Sequence, residues 1–387
     1  MTRTVAVLGV VQILTWGSSF YLLAVLAAPI HDATGWPLRW VAGGVSCGLL
    51  ASGLAARRIG GIIATGGGRR VLATGCLLLA AGLAVVGLSQ SLPVYLLGWL
   101  VIGCGMGASL YDAAFSVLGR LYGTATRRAI TQLTLWGGFA STVCWPLTAV
   151  LADTLGWRGA CLAYAAVHLC VTAPLCRFAL PPVPAVAPPA AGQGQPSAEG
   201  AGDPRFWLIA LAGVTMTMLS SLLSIHLFAF LAERGLTLAQ AVAVGALIGP
   251  AQVGARLVEM LGRGRHHAVW TMAISTALVA VGLVGLAVGL PAAAVLVAFG
   301  AGNGLWSIAR GTLPMEVFGP DAYPRVMGRL ATPVLLASAA APLLGAVLIV
   351  RLGAGGAQVL LACAALVPPC AAAGVVVLTR RERASRV

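Results

Sequence analysis

The residues able to do chemistry are few, and the informative ones lie inside apolar runs. Gln252, Arg256 and Glu259 recur at i, i+4 and i+7, which sets all three on one face of a helix. An arginine fork grips a carboxylate or phosphate through two parallel hydrogen bonds. Glu259, one turn on, either exchanges a proton or neutralises that arginine and lowers the cost of burying it. Asn303, Trp306, Ser307 and Arg310 form a second such face at i, i+3, i+4 and i+7. Arg310 fits an anion there; alternatively it snorkels or pairs with Glu316. Asp112, next to Tyr111 and with Phe115 and Gly119 on nearby turns, is a candidate proton carrier, the competing reading being an ion pair with Arg120. His226 closes the run LSSLLSIH; as a lone histidine on an apolar helix it reads equally as packing. Trp16 and Tyr21, with Ser18 and Ser19 between them, offer rings that could hold the apolar part of a small molecule, or could be ordinary core.

Other chemistries find no support. There is no GxSxG or HExxH, and no pair of carboxylates on one helix face, so no enzyme is expected. Nine cysteines lie in or beside apolar runs without a CxxC, which argues for packing residues; no metal and no cofactor is expected. The formal charge of +14 comes from 24 arginines and no lysine, scattered over short breaks rather than gathered on one face, so nucleic acid is not an expected partner.

The positioning elements follow from composition. The 387 residues are 59% hydrophobic and 9% charged, against about 25% charged for a soluble domain. Such a chain cannot cover a water-facing surface, so a lipid bilayer is its expected solvent. Apolar windows of about 20 residues fall near 5–30, 36–60, 71–90, 94–118, 129–152, 158–178, 206–230, 237–261, 268–289, 292–313, 330–350 and 356–378. Continuous rather than alternating hydrophobicity excludes a barrel. The expected fold is an all-α membrane protein of twelve transmembrane helices. One set of loops carries nearly all the arginines, among them Arg57, Arg58, Arg69, Arg70, Arg120, Arg127, Arg128, Arg177, Arg263 and Arg265; the other set holds Arg39, Arg158, Arg234 and Arg351. The positive-inside rule puts the first set, and both termini, in the cytoplasm of a cell whose inner membrane the chain crosses many times.

The Pro-, Ala- and Gly-rich stretch from Leu180 to Arg205 is too poor in large apolar groups to fold. Read as a cytoplasmic linker over 180–205, it separates a half at 1–179 from a half at 206–387. The halves resemble each other: at an offset of 195, Gly105, Gly107, Leu110 and Leu118 meet Gly300, Gly302, Leu305 and Leu313, and at an offset of 201 Gly44, Gly48, Gly53 and Gly61 meet Gly245, Gly249, Gly254 and Gly262. Two pseudo-symmetric six-helix halves are expected, with a site near the membrane midplane.

The segment GIIATGGGRR (Gly61–Arg70) lacks the Lys and Ser/Thr of a phosphate-binding loop. It resembles the signature loop of the major facilitator superfamily, in which Gly61, Gly68, Arg69 and Arg70 match; Thr65 stands where the family has Asp, and Gly66 where it has Arg or Lys. The resemblance implies that this loop latches one state of an alternating-access transporter, while the bare residues read as a tight, positive turn. A looser likeness, in TWGSSFYLLAVLAAPI and GWPLRW, is to the branch of monocarboxylate and oxalate/formate carriers.

The expectation is therefore a secondary transporter, monomeric, moving a small organic solute such as a monocarboxylate anion, with protons as a candidate co-substrate. The alternative is a proton-coupled drug or metabolite efflux pump. Trp16, Tyr21, Tyr111, His226, Gln252, Arg256, Asn303, Trp306 and Arg310 are the candidate solute-binding residues. Asp112 and Glu259 are the candidate proton carriers.

Overall fold

The computed structural model describes residues 1–182, 202–262 and 265–384. Linker residues 183–201, Arg263 and the last three residues lie outside the described set. The described chain is almost entirely helical, with no β-strand among the described residues. Its helices are α1 (Thr2–Gly17), α2 (Leu23–Thr34), α3 (Leu38–Ile62), α4 (Gly68–Leu88), α5 (Leu92–Ser109), α6 (Tyr111–Tyr122), α7 (Thr126–Gly137), α8 (Ala140–Val167), α9 (Pro204–Glu233), α10 (Leu238–Gly245), α11 (Ile248–Leu261), α12 (Ala268–Ala287), α13 (Ala292–Ala364) and α14 (Val367–Ala384). Among the described residues, 7 helical segments are long and apolar enough to cross a membrane, several of them far longer than one crossing. Leu38–Leu88, for example, turns at Thr65 and Gly66, where Gly66 takes φ +88, a conformation that a side chain would strain. Large apolar side chains stand on the outside, Val350 84% and Phe178 78% exposed, as expected where hydrocarbon rather than water surrounds the chain.

Several expected spans are not single helices. The first is interrupted between α1 and α2, the fourth at Leu110, which is extended (φ −77, ψ −170), and the fifth between α7 and α8. The eighth breaks between α10 and α11. Hydropathy windows average over such breaks, because a few turned residues leave the mean apolar.

The chain divides into two compact units, Met1–Gln193 with Pro320–Ala339, and Gly194–Gly319 with Ala340–Val387. In the first unit α5 lies against α3 and α4 through glycines. A Cβ on Gly103 would overlap the main chain of Gly48; one on Gly105 would come 2.8 Å from Leu79 N, and one on Gly107 3.2 Å from Ser52 O. Small residues at helix contacts bring backbones together where lipid supplies no hydrophobic drive. The second unit repeats the device: Gly300 approaches Ile248 O (2.7 Å), Gly302 Val279 N (2.8 Å) and Gly304 Gln252 O (2.5 Å). Each glycine is 197 positions beyond its counterpart and each partner 200 beyond, as Gly282 is beyond Gly82. The glycine-for-glycine matches at 195 and 201 read from sequence differ from these contact offsets by two residues and by one. GCGMG and GAGNG repeat glycine every second residue, so a two-residue slip still matches glycine to glycine, and only the packing partners fix the register.

Within the first unit, Pro320–Ala339 packs on α3. Gly60 lies against Pro324 and Gly328, and Gly53 lies 3.2 Å from Thr332 O. Arg120 at the end of α6 donates to Asp321 at 2.7 Å.

Candidate functional site

In the first unit the helix breaks gather rings. Trp16 ends α1 and its centroid lies 5.5 Å from Phe20, 6.1 Å from Tyr21 and 5.2 Å from Tyr111. Tyr21 meets Trp145 edge-on at 5.9 Å, and Tyr111 stacks on Phe115 at 5.0 Å. Gln12 holds the cluster: its Nε2 donates to Ser109 O (2.7 Å) and its Oε1 accepts from Trp16 Nε1 (3.1 Å). Of these rings Trp145 also lines an open apolar groove of about 490 Å³, with Ala24, Val25, Thr142 and Pro146. Asp112 occupies the first turn of α6.

The second unit is polar instead. Arg256 and Glu259 are each 8% exposed on α11. Arg256 Nε donates to Gly304 O at 3.4 Å. Thr271 Oγ1 donates to Glu259 Oε1 (3.1 Å), and His266 Nε2 lies 3.0 Å from the same hydroxyl and 3.4 Å from Glu259 Oε2. With the threonine hydrogen spent on Glu259, the short His266 contact requires His266 Nε2–H as donor. The three groups then form a directed chain from a side chain 37% exposed to a carboxylate 7% exposed. Sequence reading missed His266 and Thr271, since the loop after Leu261 ends helical periodicity; the histidine pair in RGRHH was the available signal.

Glu316 accepts the Ala268 amide at 2.6 Å and so caps α12. His267 Nδ1 accepts the Val269 amide at 3.2 Å and lies 3.4 Å from Glu316 Oε2. Asn303 Oδ1 accepts from Ser220 Oγ at 3.0 Å. Trp306 is buried, Arg310 and Gln252 are half-buried, and the Gln252 carbonyl borders Gly304. His226 lies against Phe230, ring centroids 6.3 Å apart, and against Gly345, its Nε2 buried without a hydrogen-bond partner among the described residues.

Of the loop residues, Gly68 is buried at the start of α4, Gly61 has open space around its Cα, Arg69 is half-buried and Arg70 exposed. Thr65, in the position of the family's Asp, donates to Ile62 O at 3.0 Å and so stays within its own turn. At the start of α9 burial opposes the charge of Asp203, but Arg205 prevails through side-chain and backbone hydrogen bonds, at 2.6 Å from Nη2 and 2.8 Å from the amide, and holds the carboxyl below its usual range.

Helices that bury polar groups while turning apolar side chains outward, broken beside those groups, define a multi-pass membrane protein of the transporter class. The Major Facilitator Superfamily profile matches residues 5–266, well over half the chain, and the chain belongs to that superfamily. No curated protein matches it. Among solved structures it is similar to the human organic anion transporter MFSD10 (TETRAN), with TM-score 0.75, 18% identity, 96% of this chain and 99% of that one covered. It is also similar to the proton:xylose symporter XylE bound to 6-bromo-6-deoxy-D-glucose (TM-score 0.72, 13% identity, 95% and 94% covered). A third is the Escherichia coli fucose:proton symporter FucP (TM-score 0.73, 15% identity, 96% and 98% covered). The protein is a transporter, not an enzyme.

Proposed function

We propose that the protein moves a small organic anion, a monocarboxylate being the simplest case, across the cytoplasmic membrane by alternating access, with proton movement through Glu259. It would act as a monomer of twelve spans in two duplicated halves, divided near the 180–205 linker, with both termini in the cytoplasm. The repeated glycine contacts, 197 and 200 residues apart, support the duplication. The fold does not select the cargo, since the neighbours are named for organic anions and for sugars. Arg256 and Arg310, cations placed inside apolar spans, favour an anion.

The observation that carries the proposal is the chain His266–Thr271–Glu259. A carboxylate within a span is costly unless it is paired or works, and this one has a hydrogen-bonded route to a histidine that reaches solvent. His266 would pass a proton to the Thr271 hydroxyl as that hydroxyl passes its own to Glu259. Arg256 on the same helix face would hold the anion or the Glu259 charge in turn. Purified protein in proteoliposomes tests this: uptake of radiolabelled monocarboxylates should rise with an imposed pH gradient, and equal uptake with and without the gradient would sink the coupling. The ring cluster around Trp16 favours a second reading, proton-coupled efflux of aromatic amphiphiles. Transport of such compounds with no monocarboxylate uptake would select it.

A further inference from the structure

On the outside of the first unit, α4 and the helical segment that ends near Ala179 enclose a groove of about 430 Å³. Its lining runs from polar to apolar. Arg70, Thr74 and Leu77 follow one another along one face of α4, and Arg177, Phe178 and Leu169 lie opposite. From Arg70 to Leu77 the helix climbs about 10 Å. No acidic residue lines the groove, and neither arginine has a carboxylate partner among the described residues. Arg177 rests its guanidinium over the Phe178 ring at 5.6 Å. The wall carrying Arg177 is built from two wide π-turns, His168–Thr172 and Leu175–Ala179, which replace regular α-helix where it meets the groove. Such turns occur mostly as single-turn bulges inside α-helices, frequently at functional sites.

We infer that this groove binds one anionic phospholipid, its phosphate between Arg70 and Arg177 with the Thr74 hydroxyl as a third donor, and an acyl chain along Leu77 and Leu169. Three features select that occupant. The two cations share the groove without a counter-charge. The apolar end leads away from the arginine-rich end, which the positive-inside rule sets at the cytoplasmic headgroup level. Anionic lipids concentrate in that leaflet and dock in basic pockets between helices. A soluble anion would satisfy the arginines but leave the apolar end unused, and a zwitterionic lipid would bring an ammonium group to a site already carrying two positive charges.

The test uses the full-length protein. Wild type, Arg70→Gln/Arg177→Gln and a matched control, Arg57→Gln/Arg58→Gln, are purified and exchanged into nanodiscs of phosphatidylcholine doped with phosphatidylglycerol, and retained lipid is counted by native mass spectrometry. Wild type and control should retain one phosphatidylglycerol in preference to phosphatidylcholine. The groove variant should lose that preference by roughly thirtyfold, as two surface arginines would provide. Equal retention of both lipids by wild type, or the same loss in the control pair, overturns the proposal. So does thermal stabilisation of wild type by inorganic phosphate equal to that by phosphatidylglycerol. Because the double variant could lose its fold, wild type is also treated with a photoreactive phosphatidylglycerol. Crosslinks should map to Leu169 or Phe178, and crosslinks spread evenly over other exposed apolar residues such as Leu54 or Val350 count against the site.

Discussion

Trp16 in the first unit and Glu259 in the second both stand beside a break or an end of a helix, yet they are held by different forces. Trp16 is kept by rings: three aromatic neighbours within 6.1 Å and one hydrogen bond to Gln12. Glu259 is kept by a hydroxyl at 3.1 Å and an imidazole at 3.4 Å. Ring contacts contribute about 0.5–1.5 kcal/mol each, change little with pH and accept many shapes. A buried carboxylate is strongly directional, and its worth depends on whether it carries a proton. On the proposed reading, two units with the same glycine contacts divide labour, one supplying adaptable affinity and the other a proton-dependent step.

The sharpest way to break that comparison is Glu259→Gln. The amide keeps an acceptor for Thr271 but no longer exchanges a proton, so gradient-driven uptake should fall by about a hundredfold or more, while solute exchange without a gradient persists. Equal loss of both would make Glu259 structural. Thr271→Val should cut the relay while leaving the histidine and carboxylate in place. Driven uptake should drop by less than in Glu259→Gln, because His266 still lies 3.4 Å from Glu259. Trp16→Ala tests the other side: KM for a ring-bearing solute should rise about tenfold, with the pH profile unmoved. A shifted profile would show that the two regions do not separate.

Two charge pairs away from these regions extend the contrast to stability. Asp203→Ala removes the cap of α9, at a cost of about 1 kcal/mol at neutral pH. Because Arg205 holds the Asp203 carboxyl below its usual range, the folded state binds this proton less readily than the unfolded chain. The contribution is therefore complete above the ordinary aspartate value of about 4 and is lost as pH falls through the lowered one. Wild type and variant melting temperatures should converge in acid. Arg120→Ala should shift stability least, by about 1 kcal/mol or less, since Asp321 is 77% exposed.

Much of this was legible in the residues. Apolar run lengths announced a helical membrane chain, and the partial GIIATGGGRR pattern pointed to the superfamily. Arg256 and Glu259 stood out because a charge in an apolar run is rare. The repeat register was not legible, because alternating glycines match themselves at a two-residue slip. The clustering of Trp16, Tyr21 and Tyr111 was legible only as a list, since it depends on Leu110 breaking the helix and turning Tyr111 toward α1.

Composition and spacing by themselves determined the solvent, the helical class and the few embedded charges, for each of these is a local sum along the chain. Tertiary structure alone decided that His266 reaches Glu259 through Thr271. It also brought Arg120 to Asp321 across 201 positions and packed Pro320–Ala339 with the first unit. Those outcomes depend on where loops end and which small residues let helices approach, and no periodicity encodes a distance between segments far apart in the chain.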